Sequence, residues 1–172
     1  MAANENLVVF IEIPAGSRNK YELDKETGGI FLDRRLFTST SYPADYGFIE
    51  GTLGGDTDAL DALVLAGAPT FPGCRIRARP IGLFRMTDDK GPDEKIVCVS
   101  VRDSVWGKFE RLEELDPDLL NEIEHFFQVY KSLETSKVAT RGFGGREEAE
   151  QVIAEARHRH HESAGHVLDP EA

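Results

Sequence analysis

The first apolar run, Leu7 to Ile13, holds a single carboxylate, Glu12, and stops at Pro14-Ala15-Gly16. That pattern predicts a strand and a turn. Asn19 to Leu23 and Ile30 to Leu32 flank Asp24-Lys25-Glu26-Thr27-Gly28-Gly29, whose turn residues predict a hairpin. Tyr42 to Ile49 reads as a half-buried strand, and Leu60 to Leu65 as a buried one. Arg75-Ile76-Arg77-Ala78-Arg79 alternates with period two, a strand with one wet face. Lys95 to Val101 is a further strand.

Beyond residue 115 the period changes. Asp116-Pro117 has the form of an N-cap with proline at the first helical position. Leu119, Leu120, Ile123, Phe126, Phe127, Tyr130 and Leu133 then recur at helical spacing. A second helix is predicted from Arg146 to Glu162, with Ala149, Val152, Ile153 and Ala156 as a thin apolar stripe. Short strands first and helices last define an α+β domain around a β-barrel or strongly coiled sheet. No repeat and no linker divides the chain, so one domain over residues 1–172 is expected, with the last ten residues frayed.

The net charge of -11 over 172 residues changes the picture of partners. It argues against generic binding to nucleic acid or to an anionic membrane, which needs a basic footprint. No apolar run is long enough for a spanning helix. The start Met-Ala-Ala-Asn-Glu-Asn lacks the basic residues of a secretory signal, and Cys74 and Cys98 form no metal-binding spacing. Two reduced, mostly buried thiols in a cytosolic protein are expected.

The densest chemistry lies in Asp56-Thr57-Asp58-Ala59-Leu60-Asp61, three carboxylates in six residues running into Ala62-Leu63-Val64-Leu65. Like charges this close need a counter-charge. Hard cations with oxygen ligands, Mg²⁺ above all, suit them. A calcium-binding EF-hand starting at Asp56 fails, because it needs Gly at its sixth position and Glu at its twelfth, where Asp61 and Gly67 stand. Asp61, at the lip of an apolar strand, needs a partner. Asp88, Asp89 and Asp93 lie in a Gly-Pro turn, and Lys95 follows closely. Polar turns are ordinary, so this segment gains weight only if both acidic turns open at one end of a barrel. His158, His160, His161 and His166 read as a solvated helix end, since no cysteine or Glu-x-x-His accompanies them.

Taken in order, Ile11-Glu12-Ile13-Pro14-Ala15-Gly16-Ser17-Arg18-Asn19-Lys20-Tyr21-Glu22, Leu32-Asp33-Arg34, Tyr42-Pro43-Ala44-Asp45-Tyr46-Gly47-Phe48-Ile49, the Asp56 to Asp61 segment, Met86 to Lys95, and His125-Phe126-Phe127-Gln128-Val129-Tyr130-Lys131 resemble the soluble family I inorganic pyrophosphatases of bacterial type. The resemblance implies a five-stranded OB-like barrel with flanking C-terminal helices and a site at the barrel mouth. It also implies hydrolysis of pyrophosphate to two phosphates with several Mg²⁺ ions, in a cytoplasmic homo-hexamer.

By that resemblance Asp56, Asp61, Asp88 and Asp93 bind metal directly, and Glu12 and Glu22 belong to the metal and water shell. The general base is Asp58 or, on another assignment, Asp93. Lys20 and Tyr46 would hold the attacked phosphoryl group, and Arg34, Tyr130 and Lys131 the leaving phosphate.

Two positions depart from the family pattern. Thr57 stands where a small or acidic residue is usual, and Ala59 where Pro or Glu is usual. A β-branched residue is strained there if the position needs positive φ, and loss of proline loosens the loop. Val138 to Gly145 also departs from a usually Trp-containing segment. Rival readings are a metal phosphohydrolase for an organic diphosphate, and an OB-type module for single-stranded nucleic acid. The second has local support only in Arg75, Arg77 and Arg79.

Overall fold

The computed structural model describes residues 7–166. Nine strands and two α-helices follow in order: β1 (Leu7–Ile13), β2 (Asn19–Leu23), β3 (Ile30–Arg35), β4 (Asp45–Ile49), β5 (Asp61–Leu65), β6 (Arg75–Asp88), β7 (Gly91–Pro92), β8 (Lys95–Ser100), α1 (Pro117–Val129), β9 (Ala139–Gly144) and α2 (Arg146–His166). The sheet runs β1-β4-β5-β8-β6, and a further pairing of β1 with β6 closes it. The expected five-stranded barrel is therefore present. Closure removes the unpaired edges an open sheet would carry. All ring contacts are antiparallel except β5 with β8, which run parallel.

Side chains alternate between two cores, as strand geometry requires. Leu63, Leu65, Val97 and Val99 enter one cluster with Ile123, Phe126 and Phe127 of α1. Ala62, Val64, Ile96 and Cys98 enter the other with Ala149, Ile153 and Ala156 of α2. Both faces of β5 and β8 are thus buried, which explains their unbroken apolar sequences. Gly47 permits the tight β1–β4 approach: a Cβ there would sit 1.8 Å from the Phe10 carbonyl oxygen.

Several boundaries differ from expectation. The strand predicted at Arg75–Arg79 continues through Pro80 to Asp88, because a register shift between Pro80 and Gly82 absorbs the proline. The first helix ends at Val129, not Leu133. Leu133 is exposed, because the chain turns after Tyr130 and no longer follows the helical stripe. Asp116 caps this helix as predicted, accepting from the Asp118 N–H. Strand β9 was not anticipated: Ala-Thr-Arg-Gly-Phe-Gly is short and polar, and becomes a strand by pairing with β6.

Helix α2 runs to His166, four residues past the predicted end. Of the last ten residues, for which fraying is expected, 163–166 are helical; the others lie outside the described residues, as does the N-terminal hexapeptide. Cys98 is buried as expected, while Cys74 precedes β6 and is half-buried; both thiols are free.

Candidate active site

One cleft at the barrel mouth gathers Glu12, Glu22, Asp56, Asp58, Asp61, Asp88 and Asp93. Lys20, Lys25, Lys90 and Tyr46 line it as well, around about 240 Å³ of space. Both acidic turns therefore open at the same end of the barrel. Backbone irregularities aim two of the contributors. The register of β1 on β4 shifts between Ile11 and Ile13, leaving Glu12 in a bulge, a common device for re-aiming a side chain. Its Oε2 accepts from the Leu23 N–H at 2.8 Å, tying β1 to the hairpin. On that hairpin a second shift leaves Asp33 between Leu32 and Arg34 without a facing residue. Asp33 Oδ2 accepts from Lys20 Nζ at 3.1 Å and from Arg34.

At the floor of the cleft Lys95 is 2% exposed. Its Nζ donates to Asp61 at 2.7 Å and to both oxygens of Asp93 at 2.8 Å. Tyr46 Oη donates to the same Asp61 oxygen at 2.8 Å. Asp61 thus has the partner its position demanded. The ammonium also lies over the rings of Tyr46 and Phe127.

The electrostatics leave negative charge under-compensated on one side of the site. Burial pushes Glu12 up to about 7; Asp61 and Glu22 push it further, against the Leu23 N–H and Lys20. Burial likewise raises Asp93, aided by Asp61 and Asp88 and opposed by Lys95. Lys95 itself is held charged by Asp61 and Asp93, which outweigh its burial. Tyr46 stays a neutral phenol, because burial and the neighbouring Asp61 and Asp93 raise it far above its ordinary value.

Cations predominate on the other flank. Arg34 donates to Glu134 at 2.8 Å. Tyr130, pushed up to about 12 chiefly by burial, caps α1 beside Lys131. Burial and the neighbouring Lys95 and Lys20 lower Lys131. A lysine depressed in this way is a place where an anion is favoured.

The structure thus brings Glu12, Lys20, Glu22, Tyr46, Asp56, Asp58, Asp61, Asp88 and Asp93 into the cleft lining. Arg34 joins through Asp33, while Tyr130 and Lys131 stand close enough to feel Asp88 and Asp93. Sequence reasoning gave no role to Lys95, Asp33 or Glu134. A lone lysine opening an apolar strand was the available signal for the first.

As a donor set, seven carboxylates without sulfur or imidazole suit a hard divalent cation. Burial raises Glu12 and Asp93 despite the neighbouring Lys20 and Lys95. Among the described residues no three His, Cys, Asp or Glu side chains close on one point; Lys95 stands between Asp61 and Asp93. Among the described residues no histidine lines the cleft: His158 pairs with Glu162 on an exposed helix face, and the side chain of His166 lies outside the described residues. The arginines of β6 are also spoken for in part, Arg75 by Glu50 and Arg79 by the carbonyls of Gly107 and Phe109.

The mouth of this closed barrel, which sets seven carboxylates beside lysines and a buried phenol, is a site suited to divalent cations and an anionic ligand. The family model for inorganic pyrophosphatase matches residues 9–161. The chain belongs to the inorganic pyrophosphatase family.

An inorganic pyrophosphatase of Streptomyces coelicolor is 55% identical over 159 residues, covering 92% of this chain and 98% of that one. One of Methanosarcina mazei is 53% identical over 154 residues, covering 90% and 91%. The crystal structure of the Thermus thermophilus inorganic pyrophosphatase superposes with a TM-score of 0.89 at 38% identity, covering 93% of this chain and 94% of that one. The Helicobacter pylori inorganic pyrophosphatase gives 0.89 at 36% identity, covering 93% and 96%.

Proposed function

We propose that this protein hydrolyses inorganic pyrophosphate to two orthophosphates, using water and bound Mg²⁺. Family membership supports the substrate. The observation that carries the mechanism is the gathering of seven carboxylates with Lys20 and Tyr46 in one cleft, with Lys131 close enough to interact with Asp88 and Asp93. Bound Mg²⁺ would supply a lowered pKa for water and charge neutralisation on phosphate oxygens.

Asp56, Asp61, Asp88 and Asp93 are the proposed direct ligands, with Glu12 and Glu22 holding surrounding water. The base that takes the proton of the attacking water is Asp58 or Asp93. Contacts favour Asp58, whose carboxylate meets Lys25 loosely at 3.7 Å, whereas both Asp93 oxygens accept from Lys95. Lys20 holds the attacked phosphoryl group by donating to its oxygens, as does the neutral phenol of Tyr46 once its single O–H turns to the substrate from Asp61. Arg34, Tyr130 and Lys131 stabilise charge on the leaving phosphate.

The proposal extends to one cytoplasmic domain assembled as a homo-hexamer. Phenylalanines exposed on and beside the hairpin, Phe31 and Phe37, are consistent with subunit contacts. No helix among the described residues is long and apolar enough to cross a membrane. Phosphate release from pyrophosphate that needs Mg²⁺ and stops with EDTA tests the catalytic reading.

A further inference from the structure

The chain leaves the barrel at Ile49 and rejoins it at Asp61, and the carboxylate loop hangs between stems at Leu53 and Leu60. Its returning stem is fixed by the barrel itself. Leu60 N–H donates to Thr52 Oγ1 at 3.0 Å, Thr52 Oγ1 donates to the Ile49 carbonyl at 2.6 Å, and Ile49 N–H donates to the Leu60 carbonyl at 2.9 Å. The departing stem is fixed by α2 instead. Leu53 N–H donates to the Ala156 carbonyl at 2.9 Å, and Arg159 Nε–H donates to the Leu53 carbonyl at 2.9 Å. Both backbone groups of Leu53 are therefore satisfied by one helix more than a hundred residues away in the chain.

The loop between these stems has little else to hold it. Gly54 and Gly55 follow Leu53 directly, and Thr57 sits at φ +72°, a left-handed conformation costly for a β-branched residue. Support comes from hydrogen bonds of Gly54 N–H to the Asp58 carbonyl, of Thr57 N–H to the Gly54 carbonyl and of Asp58 N–H to Asp56 Oδ1, with a loose Lys25–Asp58 pair at 3.7 Å. Behind the loop lies a cavity of about 320 Å³, bounded by Gly55, Ala59, Val152, Glu155 and Arg159. Glycine at 55 and alanine at 59 give the loop little side chain to pack on that side. Asp61 is held by Lys95 and Tyr46, so it is the placement of Asp56 and Asp58 that depends on the departing stem, while α2 is anchored in the core by Ala149, Ile153 and Ala156.

We propose that Arg159 is a positioning residue for the Asp56–Asp61 loop, and that its bond to the Leu53 carbonyl sets how tightly the cleft binds divalent cations. This rests on the metal-binding reading given above. A carboxylate pair displaced by even a fraction of an ångström loses part of a shared ion's binding energy, which is why residues behind the direct ligands affect metal affinity.

The test is Mn²⁺ titration of the full chain without substrate, with free Mn²⁺ read by electron paramagnetic resonance. Wild type, Arg159→Met and Arg159→Lys are compared, and thermal unfolding of the metal-free proteins is recorded alongside. Arg159→Met is expected to weaken Mn²⁺ binding about tenfold, the low end for residues behind a metal's ligands. Arg159→Lys is expected to recover part of that, with little change in melting for either. Unchanged Mn²⁺ affinity in Arg159→Met overturns the proposal while leaving the metal reading intact. So does an equal loss in both variants that tracks an earlier melt, which would mark general loosening. A wild-type protein that binds no Mn²⁺ removes the metal reading, and the role of Arg159 with it.

Discussion

Lys95 Nζ lies 2.7 Å from Asp61 Oδ2 because β5 and β8 run parallel with Ala62 opposite Ile96. That register puts the first residues of the two strands side by side at the barrel mouth, with Asp93 completing the cluster. Removing one partner of a buried ion pair leaves the other charge unpaired, at a cost of about 3–5 kcal/mol. Lys95→Met should therefore lower stability by about 3 kcal/mol in urea unfolding of the metal-free protein, allowing for the partial exposure of Asp61. A loss below about 1 kcal/mol would mean the carboxylates are already solvated.

Asp61 and Asp93 can be tested as ligands separately from their structural bonds. Asn keeps the size and most hydrogen-bonding capacity of Asp but loses the charge. Asp61→Asn and Asp93→Asn should each lower turnover more than about 100-fold, since residues behind the direct ligands already cost 10–100-fold. Circular dichroism should show both folded. Near-normal turnover in both variants would sink the assignment of these ligands.

Thr57 was expected to be strained if its position required positive φ, and its φ of +72° meets that condition. The left-handed conformation costs a non-glycine residue roughly 1–2 kcal/mol. Glycine's extra chain entropy offsets roughly 0.5–1 kcal/mol of that. Thr57→Gly should thus raise stability by about 0.5–1 kcal/mol in urea unfolding. A destabilised variant would show that the threonine side chain supports the loop.

Glu12 gives the metal-free protein a pH signature. Its folded pKa is raised to about 7 from an ordinary 4.5, chiefly by burial. Between those values the folded protein holds a proton that the unfolded chain has released, so stability falls as pH rises through that window. Glu12→Gln should flatten this slope in unfolding measurements from pH 4.5 to 7.5. An unchanged slope would assign the titration elsewhere.

How much of this was legible in the sequence depends on how local each signal is. Asp56, Asp58 and Asp61 share one short segment, so their joint placement needed no tertiary information. The same holds for the Asp116-Pro117 helix start. Lys95 was visible as an odd charge, but its role arises from a parallel register joining residues 34 apart. The bulges that aim Glu12 and Asp33 are properties of strand pairing, which hydropathy does not encode. Strand β9 has too few apolar residues to declare itself, and exists because β6 offers it a partner. Leu133 failed for the opposite reason: periodicity continued past the point where Tyr130 ends the helix.

The nucleic-acid rival loses part of its local support, since Arg75 pairs with Glu50 and Arg79 donates to the Gly107 and Phe109 carbonyls. The rival enzyme reading, an organic diphosphate as substrate, differs from the proposal only in what the cleft admits. The most direct measurement is phosphate release by the purified protein from pyrophosphate and, separately, from ATP, each with Mg²⁺ and with EDTA. The account predicts rapid release from pyrophosphate with Mg²⁺, none with EDTA, and little from ATP. Release from ATP at a comparable rate, or none from pyrophosphate by a folded protein, would contradict it.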